Sequence, residues 1–281
     1  MINERLVTVF TPTKNRLSML KRAVTSVNEQ SYKNIELVIV NDGSDDGTYE
    51  YLESIKSPSI KVLHNINSMG GCYSRNLAIK NANGYYITGL DDDDYFLQNR
   101  VLDLVSGLSS DRSENLVGVY DNCIERKSDF DKGLVTHSDV SYLPDLLNYN
   151  SVGNQVLTYT ELLKNVLFDE NIPAWQDWEM YISLLRYKGD KSYFKNIKSN
   201  SYVQDISHEL DRITNQSEQK IYNAYSYLLV KHKDVIKQPG VLKISYLCYP
   251  QSYWGFQDYI LVLKRFKIGL IVRRLSRRYF Q

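Results

Sequence analysis

Residues Gly84–Asp94 have the sequence GYYITGLDDDD, a short β-rich run that ends in four consecutive aspartates. Two upstream segments are organised in the same way, with an apolar run followed by polar turn residues: Leu6–Arg16 (LVTVFTPTKNR) and Val38–Thr48 (VIVNDGSDDGT). Ser18–Glu29 and Gly70–Asn81, which lie between these runs, have helical apolar spacing. Strands that alternate with helices at this spacing predict a parallel sheet built from βαβ units.

The polar residues that end these runs carry the first indication of a site. Thr11–Thr13, Asn41–Ser44 and Asp91–Asp94 each follow a predicted strand at its carboxyl end. In open α/β sheets, ligands bind in the crevice beyond the carboxyl ends of the strands. We therefore expect the three segments to converge in one crevice.

The second half of the chain is less regular. Leu116–Asp121 and Gln155–Tyr159 have strand-like composition, whereas Cys123–Thr136 is polar and is predicted as a loop. A helix is predicted after Pro173, because the apolar residues that follow it recur at helical spacing. Further helices are predicted around Glu218–Lys231 and Gln257–Arg278.

Composition limits the class of protein. The chain has 281 residues, of which 43% are hydrophobic and 24% charged, so it can bury a substantial core. The net charge of +1 does not match a nucleic-acid-binding protein. Three dispersed cysteines predict neither a disulfide framework nor a zinc site. With no signal-peptide pattern and no apolar run long enough to span a bilayer, we expect a cytoplasmic protein, either soluble or bound to a membrane surface.

The charge is unevenly distributed. Residues 264–281 contain seven basic residues and no acidic one, which leaves a net charge of −6 on residues 1–263. Apolar side chains of this tail fall on one helical face: Ile268, Ile271, Val272, Leu275 and Tyr279. This pattern predicts a helix that lies on an anionic membrane surface. The alternative is a packing helix with solvated charges.

The aspartate run Asp91–Asp94 predicts a metal site. Four adjacent carboxylates repel one another, and a hard cation relieves that repulsion. Mg²⁺ and Mn²⁺ take oxygen ligands, and Mg²⁺ commonly bridges one or two carboxylates to substrate phosphates. The alternative is a solvated acidic loop.

A calcium-binding pattern overlaps the second segment. Asp42, Ser44, Asp46, Gly47 and Glu53 nearly match the loop of a calcium-binding helical hand. That loop requires a helix in front, whereas IELVIV is predicted as a strand, so the pattern is interpreted as coincidental. A strand that ends in Asn-Asp-Gly-Ser instead presents a carboxylate from a turn, either towards a ligand or within an ordinary turn.

Taken together, these segments resemble one enzyme family. TPTKNR (Thr11–Arg16), VIVNDGSDDGT, Asn67 with Gly70 and Arg75-Asn76, and GYYITGLDDDD match the order and spacing of the family 2 glycosyltransferases over about the first 110 residues. The resemblance implies an α/β protein with the GT-A fold: a mostly parallel central sheet flanked by helices, with a helical C-terminal extension. Nucleotidyltransferases share a similar sheet, but TPTKNR lacks their glycine-rich loop.

The resemblance implies a set of nucleotide-binding residues. Thr11, Pro12 and Arg16 match the first nucleotide-contacting loop of the family. Asp42 matches the aspartate that accepts a hydrogen bond from the uracil N–H of a UDP-sugar. Arg75 matches the arginine beside the base and the diphosphate.

The aspartate run matches the Asp-any-Asp motif of the family. Asp91 corresponds to the aspartate on the ribose or sugar side, and Asp93 to the ligand of the divalent ion, Mn²⁺ or Mg²⁺. Because four aspartates are adjacent, the frame is ambiguous. Asp92, which we also count among the nucleotide-binding candidates, and Asp94 remain possible metal ligands.

A second motif implies a catalytic base. PAWQDWEMYISLL (Pro173–Leu185) resembles the family's Glu-Asp motif, with Gln176 in place of the glutamate and Asp177 retained. The matching aspartate of inverting members is the general base, which must lie within hydrogen-bond reach of the acceptor hydroxyl. The alternative is a carboxylate that only complements the helix dipole. Trp178 is either a sugar-stacking or a core residue, and Trp175 is a possible stacking residue.

The segment Ser207–Arg212 (SHELDR) lies where relatives place residues that close over the diphosphate. His208 is accordingly a candidate metal ligand, and Arg212 a candidate that stabilises the leaving nucleotide. A structural role is the alternative for both.

The resemblance implies an inverting, metal-dependent glycosyltransferase that moves a sugar from a nucleotide diphosphate, with UDP favoured, to a surface polysaccharide such as an O-antigen or capsule unit on a lipid diphosphate. We expect a catalytic domain at 1–215, with a nucleotide-binding half (1–110) and an acceptor-binding half (111–215), and a helical extension at 216–281. The expected location is the inner face of the cell membrane. The alternatives are a non-catalytic nucleotide-sugar-binding or scaffold protein, and a calcium-responsive module.

Overall fold

The computed structural model describes residues 5–128, 132–153, 155–207, 218–237, 243, 246–247 and 256–264. The strands are β1 (Val7–Thr13), β2 (Ile35–Asp42), β3 (Ile60–Asn65), β4 (Tyr86–Gly89), β5 (Tyr95–Phe96), β6 (Leu116–Tyr120), β7 (Cys123–Arg126), β8 (Lys132–Val135), β9 (Val140–Tyr142), β10 (Leu157–Tyr159), β11 (Tyr193–Asn196) and β12 (Tyr202–Asp205). The helices are α1 (Leu17–Asn28), α2 (Thr48–Ile55), α3 (Gly71–Lys80), α4 (Arg100–Ser110), α5 (Leu143–Leu146), α6 (Thr160–Val166), α7 (Gln176–Lys188), α8 (Glu218–Lys231) and α9 (Phe256–Lys264).

An eight-stranded sheet in the order β3-β2-β1-β4-β10-β6-β11-β9 forms the centre of the fold. Its first four strands are all parallel, as the alternation of strands and helices predicted. Seven of the eight residues of β2 are buried, which is typical of a parallel strand covered by helices on both faces. The prediction of an α/β fold is therefore confirmed.

Strand β10 changes the direction of the sheet. It pairs antiparallel with β4 on one side and with β6 on the other, so that β6 runs in the same direction as β4. The carboxyl ends of β4 and β6 consequently lie at the same edge of the sheet. This places Asp121, which follows β6, on the same side as the aspartate run.

A second sheet in the order β5-β12-β7-β8 corrects the loop predicted for Cys123–Thr136. Residues Cys123–Arg126 pair in parallel with β12 and antiparallel with β8. The four residues of β7 are half-buried and those of β8 are mostly exposed, so neither strand shows apolar alternation. These strands form because β7 pairs through its backbone with β12, about 80 residues away in sequence. Such long-range pairing cannot be predicted from the local sequence pattern.

The described residues form two compact units. The first comprises residues 5–128, 132–146, 150–153, 155–170 and 176–207, and the second comprises residues 147–149, 171–175, 218–237, 243, 246–247 and 256–264. Within the second, α8 buries Ile221, Ala224, Tyr225 and Leu228, which share one helical face. The ring of Tyr225 stacks on that of Tyr246 at 5.5 Å between centroids.

Helix α9 matches only the first part of the helix predicted for Gln257–Arg278, and residues 265–281, with most of the basic tail, lie outside the described part of the chain. None of the described helices is both long and apolar enough to cross a bilayer.

Candidate active site

The segments that follow β1 and β2 are joined by reciprocal hydrogen bonds. The backbone N–H of Asn15 donates to the Ser44 hydroxyl at 3.0 Å, and the N–H of Asp45 donates to the Asn15 side chain at 2.9 Å. Asp46 accepts from the N–H of Leu17 at 2.9 Å and so satisfies a free donor at the start of α1. The predicted convergence of these two strand ends is present in the structure.

Asp42 is surrounded by donors from the segment between β3 and α3. Its carboxylate accepts from Asn65 (2.7 Å), Ser68 (2.8 Å) and the N–H groups of Met69 (2.8 Å) and Gly70 (2.9 Å). Burial tends to raise the pKa of Asp42, but these hydrogen bonds outweigh it and hold the pKa below its ordinary value. A carboxylate has about four acceptor positions. In this conformation, accepting a nucleobase N–H requires exchange of one of these bonds.

Glycine at position 43 is required by this arrangement. Gly43 has a φ of +70°, and a Cβ there would lie 3.0 Å from the backbone nitrogen of Ser68. A side chain at this position would be strained and would press against the segment that binds Asp42.

Arg75, on α3, joins three candidate residues. One terminal nitrogen donates to Asp91 at 2.9 Å, and the other donates to the Gln176 side chain at 2.9 Å. Arg75 is buried, and the carboxylates of Asp91 and Asp177 outweigh its desolvation and raise its pKa. The guanidinium therefore places the end of β4 beside the start of α7.

Arg16 holds the middle of the aspartate run. A single guanidinium nitrogen lies 3.1 Å from Asp92 and 2.9 Å from Asp93. Burial raises the pKa of Asp92 to about 6, although the charge of Arg16 opposes this shift. The two carboxylates thus already share one cation.

Asp94 faces the second sheet. It accepts a hydrogen bond from the Tyr202 hydroxyl at 2.6 Å and another from the N–H of Asp205 at 3.0 Å. Burial, together with the charges of Asp93 and Asp91, raises the pKa of Asp94 well above its ordinary value. Asp94 thus connects the aspartate run to β12.

Asp177 lies in the first turn of α7 and is half-buried. Burial raises its pKa to about 7, the positive charge of Arg75 lowers it, and the negative charge of Asp91 raises it further. A carboxyl group with this pKa can gain and lose a proton near neutral pH, which is the property a general base needs. The neighbouring Trp178 is buried and donates its indole N–H to the Leu146 carbonyl at 2.6 Å, which identifies it as a core residue.

The structure describes some of the remaining candidate residues and leaves others outside the described part of the chain. Thr11 is buried at the end of β1, and Pro12 beside it is half-buried. Trp175, which precedes α7, has a φ of +62° and is also half-buried. His208 and Arg212 lie outside the described residues.

The donor set suits a hard divalent cation. Asp92 and Asp93 offer carboxylate oxygens within reach of one nitrogen of Arg16, so a cation already lies between them. Across the described ranges, no group of three His, Cys, Asp or Glu side chains is arranged to hold a metal ion.

The calcium-loop pattern is not a calcium-binding helical hand. A strand, β2, precedes it instead of a helix. Asp46 binds Leu17 and Thr48, and Glu53 pairs with Lys56 and with His64 at 2.8 Å. These carboxylates and Asp42 therefore have separate partners.

Sequence reasoning missed several residues around the aspartate run. Arg22, on α1, donates to the Asp93 carbonyl and to Asp205, which also pairs with Arg126 at 2.6 Å. Gln155 approaches Asp91 at 3.4 Å. These contacts span 64 to 183 positions in sequence, so no local spacing reports them.

Comparisons with known proteins find similar sequences of one family. A family model described as Glycosyl transferase family 2 matches residues 8–167. The chain is 31% identical over 243 residues to "Putative colanic acid biosynthesis glycosyl transferase WcaA" of Escherichia coli (strain K12), covering 83% of this chain and 84% of that protein. It is 26% identical to the Escherichia coli "UDP-Glc:alpha-D-GlcNAc-diphosphoundecaprenol beta-1,3-glucosyltransferase WfaP", covering 85% of this chain and 86% of that protein.

Among solved structures, S. aureus TarS 1-349 in complex with UDP-GlcNAc superposes with a TM-score of 0.67 at 18% identity, covering 85% of this chain and 71% of that chain. The likeness confirms the predicted GT-A fold. The family model spans more than half of the chain, and the E. coli K12 relative is matched over most of both sequences. The chain is therefore a member of glycosyltransferase family 2.

Proposed function

We propose that the protein is an inverting hexosyltransferase of polysaccharide synthesis, which uses a UDP-sugar donor, a divalent cation at Asp93 and Asp177 as general base. The observation that carries this proposal is the contact series from Asp91 through Arg75 to Gln176, with Asp177 beside it. It brings the donor side of the site next to a carboxylate whose pKa is about 7.

In the proposed reaction, Asp177 takes the proton of an acceptor hydroxyl. The oxygen forms a bond to the anomeric carbon of the donor as the bond from that carbon to the diphosphate oxygen breaks. Attack opposite the leaving group inverts the configuration, so an α-linked UDP-hexose gives a β-linked product. Asp93 would hold a divalent cation, which would supply positive charge to offset the charge of the departing diphosphate. Arg16, Arg75 and, by resemblance, Arg212 supply further positive charge for the nucleotide.

The substrate class is proposed from the relatives. The names of two E. coli relatives refer to colanic acid and to a diphosphoundecaprenol acceptor, and the TarS structure contains UDP-GlcNAc. These names support a UDP-hexose or UDP-N-acetylhexosamine donor. They also support a lipid-diphosphate-linked glycan acceptor, such as an O-antigen, lipopolysaccharide or capsule intermediate.

We further propose that residues 1–215 form the catalytic domain and that residues 216–281 form an extension whose basic tail binds the inner face of the cell membrane. The support is the excess of basic residues after position 263. Truncation after Tyr259 should reduce binding to vesicles that contain anionic lipid, while the full chain binds. Equal binding of both forms would contradict a membrane role for the tail.

The test of the function uses two readouts. Calorimetry with UDP, GDP and dTDP, each with and without Mn²⁺, should show tight binding of UDP only, and loss of that binding without metal. Asp177→Asn should then bind UDP as the unchanged protein does and lose sugar transfer. Full transfer by Asp177→Asn would contradict the assignment of Asp177 as the general base. Absence of nucleotide binding would contradict the proposed enzymatic function.

A non-catalytic nucleotide-sugar-binding or scaffold protein is the alternative function. It would bind UDP in the same experiment, but Asp177→Asn would change nothing, because binding alone needs no base. The raised pKa of Asp177 favours the enzyme, since perturbed carboxyl groups in clefts are typical of catalytic sites.

A further inference from the structure

The backbone of Phe168, which follows α6, is held by the side chain of Asn76 on α3. The Asn76 amide nitrogen donates to the Phe168 carbonyl at 2.9 Å, and its oxygen accepts from the Phe168 N–H at 2.8 Å. The same amide nitrogen also donates to Glu170 at 2.9 Å. Asn76 and Phe168 are both buried. Since both amide hydrogens and the oxygen of Asn76 have partners, the orientation of this side chain is fixed.

The backbone just before Phe168 is strained. Leu167 ends α6 with a φ of +57° and a ψ of 170°, close to a region that is almost confined to glycine. A leucine keeps such a conformation only where the surrounding contacts impose it. The paired hydrogen bonds between Asn76 and the next residue, Phe168, are contacts of this kind. The position of Phe168 is therefore imposed from α3.

The ring of Phe168 faces the guanidinium of Arg75. The Cζ atom of Arg75 lies 5.5 Å from the ring centroid, which is within the range of a cation–π contact. The same ring packs edge to face against Phe10 of β1, with 6.3 Å between the centroids. The sheet and α3 thus fix the ring, and the ring supports one face of the guanidinium.

We propose that Asn76 and Phe168 are positioning residues of the candidate active site. Asn76 fixes the backbone of Phe168, and the Phe168 ring holds the Arg75 guanidinium in place beside Asp177. An arginine side chain is long and flexible, so its charge stays at one place only when several contacts restrain it. The inference rests on the proposed function for the role of Asp177 as the base.

The ionisable groups that act on Asp177 come from three elements. Arg75 and Cys72 lie on α3, Asp91 follows β4, and Tyr181 lies on α7 with Asp177 itself. Of these groups, Arg75 carries the positive charge, and this charge lowers the pKa of Asp177. A guanidinium that moves away from its position should therefore leave Asp177 with a higher pKa.

Replacement of the ring tests the proposal. Phe168→Leu removes the cation–π contact and keeps an apolar side chain in the core. NMR titration of the aspartate carboxyl carbons measures the pKa of Asp177 without any transfer, and Asp177→Asn assigns the signal. We expect this pKa to rise by at least about half a unit in Phe168→Leu, which corresponds to an approximately threefold fall of kcat/KM on the acidic limb. Asn76→Ala should act in the same direction, because it releases the backbone of Phe168.

Two controls separate positioning from general loosening of the core. Tyr86→Leu removes another buried aromatic ring, at the first residue of β4 and thus at the opposite end of this strand from Asp91. It should leave the titration of Asp177 unchanged. Phe168→Leu added to Arg75→Met should give no further shift, since the group through which the ring acts is then absent.

An unchanged pKa of Asp177 in folded Phe168→Leu would overturn the proposal. So would an equal shift in Tyr86→Leu, or a further shift when Phe168→Leu is added to Arg75→Met. If Asn76→Ala does not fold, Phe168→Leu decides alone. If the unchanged protein transfers no sugar, the proposed function fails, and the NMR titration still decides whether Phe168 positions Arg75.

Discussion

The guanidinium of Arg75 donates to the Asp91 carboxylate at 2.9 Å, and this bond joins α3 to the end of β4. The same side chain donates to Gln176, which places a positive charge beside Asp177. Asp177 is therefore under opposing influences: burial and Asp91 raise its pKa, and Arg75 lowers it. Burial has the largest effect on this pKa, and the positive charge of Arg75 is the main influence that opposes it.

Replacement of Arg75 by methionine should shift the pH dependence of transfer. Asp177 must be ionised to accept a proton, so kcat/KM rises with pH through the pKa of about 7 in the unchanged protein. Loss of the positive charge raises this pKa. The acidic limb of the pH profile of kcat/KM should therefore move to higher pH by about one pH unit or more. Arg75→Lys, which keeps the charge, should shift it less. A methionine variant that folds and retains the original limb would contradict this electrostatic role.

Single substitutions can distinguish the roles of the individual aspartates in the run. Asp93→Asn should lose Mn²⁺ binding, measured by electron paramagnetic resonance of free Mn²⁺, because it removes the proposed ligand. Asp94→Asn is the matched control, since an amide can keep both contacts of Asp94, with Tyr202 and with the N–H of Asp205. We expect Asp94→Asn to retain the thermal midpoint and the Mn²⁺ affinity. If only Asp94→Asn loses the metal, the ligand frame is shifted by one residue.

We expect Arg16 and the proposed divalent cation to compete for the Asp93 carboxylate. Arg16 lies 2.9 Å from Asp93, so a cation bound to this carboxylate would have to displace or reorient the guanidinium. Without nucleotide, Arg16→Gln should bind Mn²⁺ about tenfold more tightly, which is equivalent to about 1.4 kcal/mol. Lys14→Gln, an exposed change in the same loop, should leave the affinity unchanged. Equal or weaker binding by Arg16→Gln would show that Arg16 does not occupy the position of the metal.

The parallel half of the sheet was predictable because its signals are local. A buried strand such as β2 is nearly all apolar, and the turn residues after it mark the edge where ligands bind. The convergence of Asn15 with Ser44 follows from that topology alone. Strands β7 and β12 carry no comparable signal, since their residues pair across about 80 positions of sequence.

The sequence predicts the type of site, which stays a prediction, but it does not indicate the partner of each residue. Four adjacent aspartates indicated a cation, yet the sequence does not show that Asp94 faces Tyr202 while Asp92 and Asp93 face Arg16. The direction of each side chain depends on the turn after β4 and on packing against β12, neither of which has a spacing rule. The partners of Asp42 are also not evident from the sequence, because its four hydrogen-bond donors lie 23 to 28 residues away.

Asp205 provides a test of how the second sheet supports the aspartate run. It pairs with Arg22 and Arg126 and accepts from the N–H and hydroxyl of Ser207, at 3.0 and 2.6 Å. Arg22 in turn donates to the Asp93 carbonyl. Burial alone would raise the pKa of Asp205, but these partners hold it at about 2.

A carboxyl group with a lowered pKa stabilises the folded state above its ordinary pKa, and this contribution is lost as the pH falls through the folded value. Asp205 should therefore contribute about 2 kcal/mol at neutral pH, which disappears as the pH falls from about 4 to about 2. Asp205→Asn should lower the free energy of unfolding at pH 7 and lie closer to the unchanged protein at pH 3. Asp139→Asn is the control, because Asp139 is 72% exposed in its pair with Lys198. Urea unfolding across this pH range measures the free energy of unfolding of each variant. A difference in this free energy between Asp205→Asn and the unchanged protein that stays constant with pH would contradict the stabilising role of ionised Asp205.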